Sequence, residues 1–163
     1  MFDKTIFIFG CGNILFGDDG FGPAVIKNLQ ANYALPEEVL ALDVGTGIRD
    51  LLFNLAFSDH KPRLLIIVDA VEYPDRQPGE IFEIEVDGIP LKKTADFSLH
   101  QFPTVNFLKE LKDHTQIEIK ILVAQTKEVP EEVKPGLSPA VEQAVPQVCA
   151  RLWSEIQAAA KAT

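Results

Sequence analysis

The sequence predicts an α/β fold: a three-layer sandwich in which a twisted, mixed but mostly parallel sheet of about five strands lies between helices. Apolar runs rich in β-branched residues alternate with stretches of helical period, which is the pattern of such layered folds. The first, third and fifth runs are almost wholly apolar, as expected for central strands covered on both faces. The 163 residues suit one domain, so we expect residues 1–163 to form a single unit.

Five segments are predicted to be strands. The fourth alternates polar and apolar residues, so we expect it to be an edge strand with one face in water. The segments are Thr5–Gly10, Val39–Val44, Arg63–Val71, Glu80–Val86 and Ile117–Ala124.

Four helices are predicted from apolar residues at helical spacing. The first two are Gly20–Tyr33 and Gly47–Ser58. The third has Ser98 as its N-cap and turns Phe102, Val105, Leu108 and Leu111 to one side. The fourth begins at Ser138 and Pro139, a cap followed by a first-turn proline. Its inward seam is expected to contain Val141, Val145, Val148, Leu152 and Ile156.

The charge balance excludes two classes of partner. The formal net charge is −9, and no basic stripe offsets it, so neither nucleic acid nor an anionic membrane surface is an expected partner. No apolar run approaches the roughly 20 residues of a membrane span, so membrane insertion is not expected. Two cysteines and no recognisable signal peptide predict a reducing, cytoplasmic location.

The stretch "GCGNILFGDDGFGP" (residues 10–23) follows the first strand and has two glycines one residue apart. A dinucleotide fingerprint needs a third glycine where this chain has Leu15, and a phosphate-binding Walker loop needs a lysine that is missing. Asp18 and Asp19 would also repel phosphates, at about 1 kcal/mol or more for each close pair of like charges. A phosphate site is therefore disfavoured.

Two interpretations of Asp18 and Asp19 remain open from the residues alone. One carboxylate caps the following helix while the other is solvated, or the pair belongs to a site. Asp69 ends the very apolar third strand, at the rim where open α/β sheets bind ligands. Loops after the first and third strands are commonly close there, so Asp19 and Asp69 can face one pocket. Two acids facing one pocket favour a cation.

A histidine narrows the kind of cation. His60 and His114 lie in polar loops and are expected at the surface, whereas His100 lies between apolar neighbours. A histidine of that kind is by itself more often structural than a ligand. Together with Asp19 and Asp69 it would give two oxygens and one nitrogen, a set suited to nickel, zinc, iron or manganese rather than magnesium. Three protein ligands leave coordination positions open.

Five blocks in this order and spacing resemble the hydrogenase maturation proteases, the endopeptidases that process the large-subunit precursor of [NiFe] hydrogenases. Beside "GCGNILFGDDGFGP", they are "LDVGTG", "LLIIVDA", "FSLHQ" and "GLSPAVEQAV". The resemblance implies a nickel-contacting site formed by Asp19, Asp69 and His100. Many family members have glutamate at the position of Asp19, so Asp19 either reaches the metal from a different backbone position or shares its role with Asp18.

The resemblance also implies the substrate. Such enzymes remove a short C-terminal extension, after a histidine or arginine, from a precursor whose cysteines already hold nickel. The nickel would then come with the substrate, the [NiFe]-hydrogenase large-subunit precursor, and serve as the recognition handle. Other divalent metals are expected to be able to occupy the same site.

Asp19 and Asp69 are the predicted catalytic residues. In one mechanism the metal polarises the scissile carbonyl while a carboxylate activates water; in the other the metal serves recognition alone. No serine or cysteine has a histidine at motif spacing, so covalent catalysis is not expected, and Cys11 is interpreted as a small loop-facing residue. A substrate-binding role for Gly45, Thr46 and Gly47 competes with a plain tight turn, and Asp43 either orients the cleft or caps the second helix.

Two alternatives from other classes stay open. A receiver-like signalling domain would bind magnesium through Asp18, Asp19 and Asp69 and accept phosphate on Asp69. That alternative leaves His100 without a purpose. A non-catalytic chaperone that binds nickel or the large subunit would share the site and lack only the cleavage.

Overall fold

The structure, a computed structural model, describes residues 4–88 and 102–161. It contains two short 3-10 helices, Gly17–Gly20 and Val86–Gly88, in addition to the strands and α-helices. The strands are β1 (Ile6–Cys11), β2 (Val39–Gly45), β3 (Leu64–Val71), β4 (Ile81–Ile84) and β5 (Glu118–Gln125). The helices are α1 (Phe21–Asn32), α2 (Ile48–Phe57), α3 (Phe102–His114) and α4 (Pro139–Lys161).

The five strands form one sheet in the order β2-β1-β3-β5-β4. All neighbouring pairs are parallel except β4 with β5, which is antiparallel. The three apolar runs are the central strands and the alternating segment is an edge strand, so the predicted mixed, mostly parallel sheet is confirmed. The strand β4 is shorter than predicted because the chain turns into a 3-10 helix at Val86.

Helices cover both faces of the sheet, as the three-layer prediction requires. Alternate residues of each central strand face opposite sides, so Ile8 and Ile66 pack with α1 and α4 while Phe9 and Ile67 pack with α2 and α3. The predicted seam of α4 is buried along its whole length, from Val141 to Ile156. Each fully buried aliphatic side chain of this kind contributes about 1.5–3 kcal/mol through the hydrophobic effect.

The parallel arrangement places the carboxyl ends of β1, β2, β3 and β5 along one edge of the sheet. The candidate site lies at the carboxyl ends of these strands. The strand β4 and the amino ends of the strands belong to the structural scaffold. Within the described ranges, no helix combines the length and the apolar composition needed to cross a bilayer.

Candidate active site

The first turn of α1 lies directly against the ends of β1 and β3. A side-chain carbon added at Gly22 would lie 2.2 Å from the carbonyl oxygen of Cys11 and 2.8 Å from that of Val68. One added at Gly10 would lie 2.5 Å from the carbonyl oxygen of Gly22. These two glycines therefore allow the close approach of helix and strands that a dinucleotide fold obtains from its third glycine. They fix where the loop between them can go.

Residues 12–20, which we call the glycine loop, fold back on themselves around Asp19. The carboxylate oxygen Oδ2 of Asp19 accepts a hydrogen bond from the backbone N–H of Asn13 at 3.0 Å. Gly12 has φ +134°, and a side-chain carbon there would lie 1.9 Å from the carbonyl oxygen of Asp19. Only glycine fits that conformation and that space. Asp19 is 8% exposed, so the residue lies just beneath the protein surface.

Asp69 lies two residues before the end of β3 and is completely buried. Its oxygen Oδ1 accepts a hydrogen bond from the backbone N–H of Ala70 at 2.8 Å. The 3-10 helix that carries Asp19 contacts β3, so the two acids approach one another from neighbouring elements. The register supports this, because Gly10 of β1 pairs with Val68, the residue before Asp69.

The Cys11 thiol is influenced by the acids at this end of the sheet. Its pKa is raised well above the ordinary value, first by burial and then by the negative charges of Asp69, Asp19 and Asp43. Asp19 and Asp69 thus lie on adjacent elements at the carboxyl end of the sheet, as expected from the sequence. That they converge on one metal ion, and their catalytic role, remain predictions.

Cys11 itself differs from the interpretation made from the sequence. It was expected to face the loop, but it is the last residue of β1 and is fully buried. A bulge between Gly10 and Cys11 shifts the register so that Cys11 pairs with Gly45, which keeps the residue in the sheet. Because the raised pKa keeps this thiol protonated, it is a poor nucleophile, in line with the expectation that catalysis is not covalent.

Asp18 points away from Asp19 and is 1% exposed. Its oxygen Oδ2 accepts hydrogen bonds from the backbone N–H groups of Lys127 and Glu128 at 2.9 and 3.1 Å. Ser138 donates its Oγ–H to Oδ2 at 2.9 Å and its backbone N–H to Oδ1 at 2.7 Å. The carboxylate thus joins the glycine loop to residues 127–138, which we call the proline loop.

The interpretation of the acid pair as one helix cap and one solvated carboxylate is wrong. The N-cap of α1 is Gly20, which makes no side-chain capping hydrogen bond, and both aspartates are buried. Asp18 instead binds Ser138, immediately before α4 begins at Pro139. The physical reason is that the 3-10 helix turns Asp18 toward a loop distant in the sequence rather than along its own helix.

The segment from Asp43 to Gly47 forms a tight turn. Oδ1 of Asp43 accepts a hydrogen bond from the backbone N–H of Gly45 at 2.9 Å, and Gly45 has φ +55°. The N-cap of α2 is Gly47, without a side-chain capping bond, so Asp43 caps the turn and not the helix. The carbonyl of Gly45 accepts the N–H of Gly12 at 2.9 Å, which ties the turn to the glycine loop. A substrate-binding role for Gly45, Thr46 and Gly47 stays a prediction; Thr46 and Gly47 are exposed.

His100, the predicted third metal ligand, lies outside the described residues, as does Ser98. His60 and His114 are exposed, as expected. Within residues 4–88 and 102–161 no group of three or more histidine, cysteine, aspartate or glutamate side chains is arranged to hold a metal ion. The predicted ligand set therefore depends on His100. The oxygen chemistry of Asp19 and Asp69 fits two of its three positions.

The sequence did not predict the contacts that position Asp18 and Asp19. The backbone of Asn13 orients Asp19, Gly22 rather than Leu15 supplies the close packing, and Ser138 binds Asp18 from 120 residues away. The position of Gly22 could have been suggested by its spacing from Gly10. Nothing in the sequence indicates the contact between Asp18 and Ser138.

Comparison with protein families identifies what the chain is similar to. A family profile described as hydrogenase maturation protease matches residues 23–155. The hydrogenase 2 maturation protease of Escherichia coli is 33% identical over 139 residues, which is 84% of this chain and 81% of the relative. The coenzyme F420 hydrogenase subunit delta of Methanothermobacter thermautotrophicus is 35% identical over 159 residues, 95% of this chain and 96% of the relative.

The chain is also similar to solved structures of hydrogenase maturation proteases. The hydrogenase maturating endopeptidase HybD from Escherichia coli superposes with a TM-score of 0.73 at 26% identity, covering 96% of this chain and 94% of that one. The [NiFe] hydrogenase maturation protease HycI from Thermococcus kodakarensis gives a TM-score of 0.69 at 25% identity, covering 94% and 92%. These two structures are named as a maturating endopeptidase and a maturation protease.

Proposed function

Because the chain belongs to the hydrogenase maturation proteases, which are endopeptidases, we propose that it removes the C-terminal extension of a [NiFe]-hydrogenase large-subunit precursor, and that nickel held by that precursor is what it recognises. The family and the hydrolase class are the premise of this proposal. The nickel dependence and the substrate are the parts to be tested.

The observation that supports the proposal is the burial of Asp19 and Asp69 on adjacent elements at the carboxyl end of the sheet. Neither is more than 8% exposed, and the charges of both raise the pKa of the Cys11 thiol. Charges are costly to bury, so two acids are expected at one place only where their charge has a use. With His100 as the third ligand, they would present a partial coordination shell to a metal whose other ligands are thiolates of the substrate.

The nickel in this proposal is part of the substrate and not a resident cofactor. A shell with only three protein ligands leaves vacancies, which is what docking onto a metal already held by another chain requires. A precursor without nickel would lack the group that these side chains bind. The proposal therefore explains how one small protease can distinguish a loaded precursor from an unloaded one.

Hydrolysis needs a base close to the attacking water. One carboxylate, Asp19 or Asp69, takes a proton from a water molecule while the oxygen of that water attacks the scissile carbonyl carbon. The same proton is then delivered to the departing backbone nitrogen as the C–N bond breaks. Such general acid–base catalysis contributes about 10²–10⁴-fold in rate. The neutral Cys11 thiol takes no part in either step.

The test is to incubate the protein with a nickel-loaded precursor and measure the mass of the precursor's C-terminus. We expect a clipped product with the wild-type protein and no detectable product in the same time with Asp69→Asn or His100→Ala. As a matched control, His114→Ala removes an exposed histidine on α3 and should leave cleavage unchanged. Equal cleavage of nickel-loaded and metal-free precursor would contradict the recognition mechanism, and no cleavage of either would contradict the proposed substrate.

A further inference from the structure

We propose that Asp18 is a positioning residue: by holding the proline loop against the glycine loop, it sets the direction in which its neighbour Asp19 points. The catalytic part of this inference rests on the proposed function, whereas its structural part can be tested without any substrate. In this arrangement the two adjacent acids have different roles: Asp18 binds the proline loop, and Asp19 faces the candidate site.

The contacts of Asp18 suit a side chain whose two oxygens both accept hydrogen bonds. All four groups that bind it are donors, namely three backbone N–H groups and the hydroxyl of Ser138, at 2.7–3.1 Å. An asparagine of the same shape would place an NH₂ group among donors and lose at least one bond. Because the side chain is 1% exposed, water cannot readily replace what is lost.

Backbone hydrogen bonds next to Asp18 also join the two loops. The N–H of Gly17 donates to the carbonyl of Lys134 at 2.9 Å, and the N–H of Lys134 donates to the carbonyl of Leu15 at 2.8 Å. Gly17 has φ +53°, and a side-chain carbon there would lie 2.7 Å from Pro130. The carboxylate of Asp18 is thus the polar centre of the contacts between the two loops.

This interface controls Asp19 through the geometry of the 3-10 helix. Successive side chains of a 3-10 helix are about 120° apart around its axis, so fixing Asp18 on one side turns Asp19 to another. That second side faces Gly12 and the N–H of Asn13, which donates to Asp19. If the bonds of Asp18 were lost, the helix could rotate and carry the carboxylate of Asp19 away from Asp69.

The first test separates turnover from binding. Asp18→Asn is expected to lower kcat for the nickel-loaded precursor about 10- to 100-fold, the effect of a misplaced catalytic group, with KM within about threefold of wild type. Leu152→Ala is the control for stability, since it removes a completely buried side chain of α4 outside both loops. Measured well below its melting temperature, Leu152→Ala should keep the wild-type kcat. A wild-type kcat in Asp18→Asn would overturn the proposal.

The second test needs no activity. The N–H of Asn13 donates to Asp19, so its hydrogen exchange, measured by NMR, reports the position of that carboxylate. In Asp18→Asn we expect exchange at Asn13 to rise at least about tenfold relative to Ile8, a core amide of β1, whereas Leu152→Ala should leave this ratio unchanged. An unchanged ratio in Asp18→Asn would refute the positioning role even if the wild-type protein cleaved no precursor.

A milder variant covers the case in which Asp18→Asn does not fold. Ser138→Ala removes the hydroxyl donor and keeps the backbone N–H bond to Asp18. It should change kcat and the exchange ratio in the same direction by a smaller factor, about two- to fivefold. A folded Ser138→Ala protein with both quantities at wild-type values would contradict the proposal.

Discussion

The two ends of the sheet handle acidic side chains in different ways. At the amino end, acids pair with bases: Glu155 accepts a hydrogen bond from Lys120 at 2.7 Å, and Glu38 lies 3.8 Å from Arg63. These side chains keep 17–32% of their surface exposed. At the carboxyl end, Asp18, Asp19 and Asp69 are nearly or fully buried, and each accepts a backbone N–H.

The difference separates charge used for the scaffold from charge used for chemistry. A half-exposed ion pair neutralises itself and contributes little beyond about 1 kcal/mol. A buried carboxylate held by backbone N–H groups is fixed in direction without being matched to a mobile base. We therefore expect substitutions at the carboxyl end to change activity and the same substitutions at the amino end to change at most stability.

The largest effect is expected for Asp69→Asn. The amide keeps the shape of the side chain and its oxygen can still accept the N–H of Ala70, so the fold should be retained. Loss of the charge should lower kcat/KM for the nickel-loaded precursor about 10³-fold, within the range of general acid–base catalysis. The C-terminal mass of the precursor, followed over time, measures the rate, and circular dichroism checks the fold. A decrease in kcat/KM of less than tenfold would contradict the proposed difference between the two ends of the sheet.

The two thiols give the next largest effect. Burial raises the pKa of Cys149 to about 11, and burial together with the charges of Asp69, Asp19 and Asp43 raises the pKa of Cys11 well above its ordinary value. At pH 8 the thiolate population of Cys149 is lower by about 100-fold than that of an unfolded cysteine, and that of Cys11 is also lowered. Iodoacetamide should therefore label the native protein about 100-fold more slowly than the protein in urea. Rapid labelling of native Cys11 would show that the acids do not surround a closed site.

Asp19 is expected to be somewhat more tolerant of substitution than Asp69, because it is 8% exposed whereas Asp69 is completely buried. Asp19→Asn should lower kcat/KM about 10- to 100-fold. Asp19→Glu should cost less than about tenfold, since it keeps the charge and adds one methylene to the residue beside the Gly12 backbone. If the asparagine variant cleaved as well as the glutamate variant, the charge of Asp19 would have no role.

The smallest effect is expected at the amino end, where Glu155→Gln is the matched change of acid to amide. The hydrogen bond from Lys120 to Glu155 raises the pKa of that lysine above its ordinary value of 10.5. The pair therefore stabilises the fold at neutral pH, and its contribution is lost as the pH rises above about 10, through the raised pKa of the lysine in the folded protein. Glu155→Gln should cost about 0.5–1 kcal/mol at pH 7 in urea unfolding and change cleavage less than twofold. A large loss of activity here would remove the distinction between the two ends.

The sequence predicted the scaffold and the convergence of two acids, because both follow from periodicity. Continuous apolar runs marked β1, β3 and β5 as central, and the end of such a run placed Asp69 at the rim next to the loop that carries Asp19. The contacts that hold these acids depend on tertiary structure. Asp18 meets Ser138 only because a loop 120 residues away folds over the glycine loop.

Local details also went beyond what periodicity can indicate. Cys11 was expected to face the loop, and a bulge keeps it in the strand. Asp43 was a candidate helix cap, and it caps a turn because Gly45 adopts positive φ. Each of these outcomes depends on one local backbone conformation. The pattern of apolar residues does not predict such a conformation.

The central claim, that Asp19, Asp69 and His100 bind one nickel ion, is tested most directly by a crystal of this protein soaked in Ni²⁺. An anomalous difference map recorded at the nickel edge would locate the ion. We expect one peak about 2.0–2.2 Å from an oxygen of Asp19, an oxygen of Asp69 and a ring nitrogen of His100. A nickel peak elsewhere, or a His100 ring turned away from both carboxylates, would contradict the account.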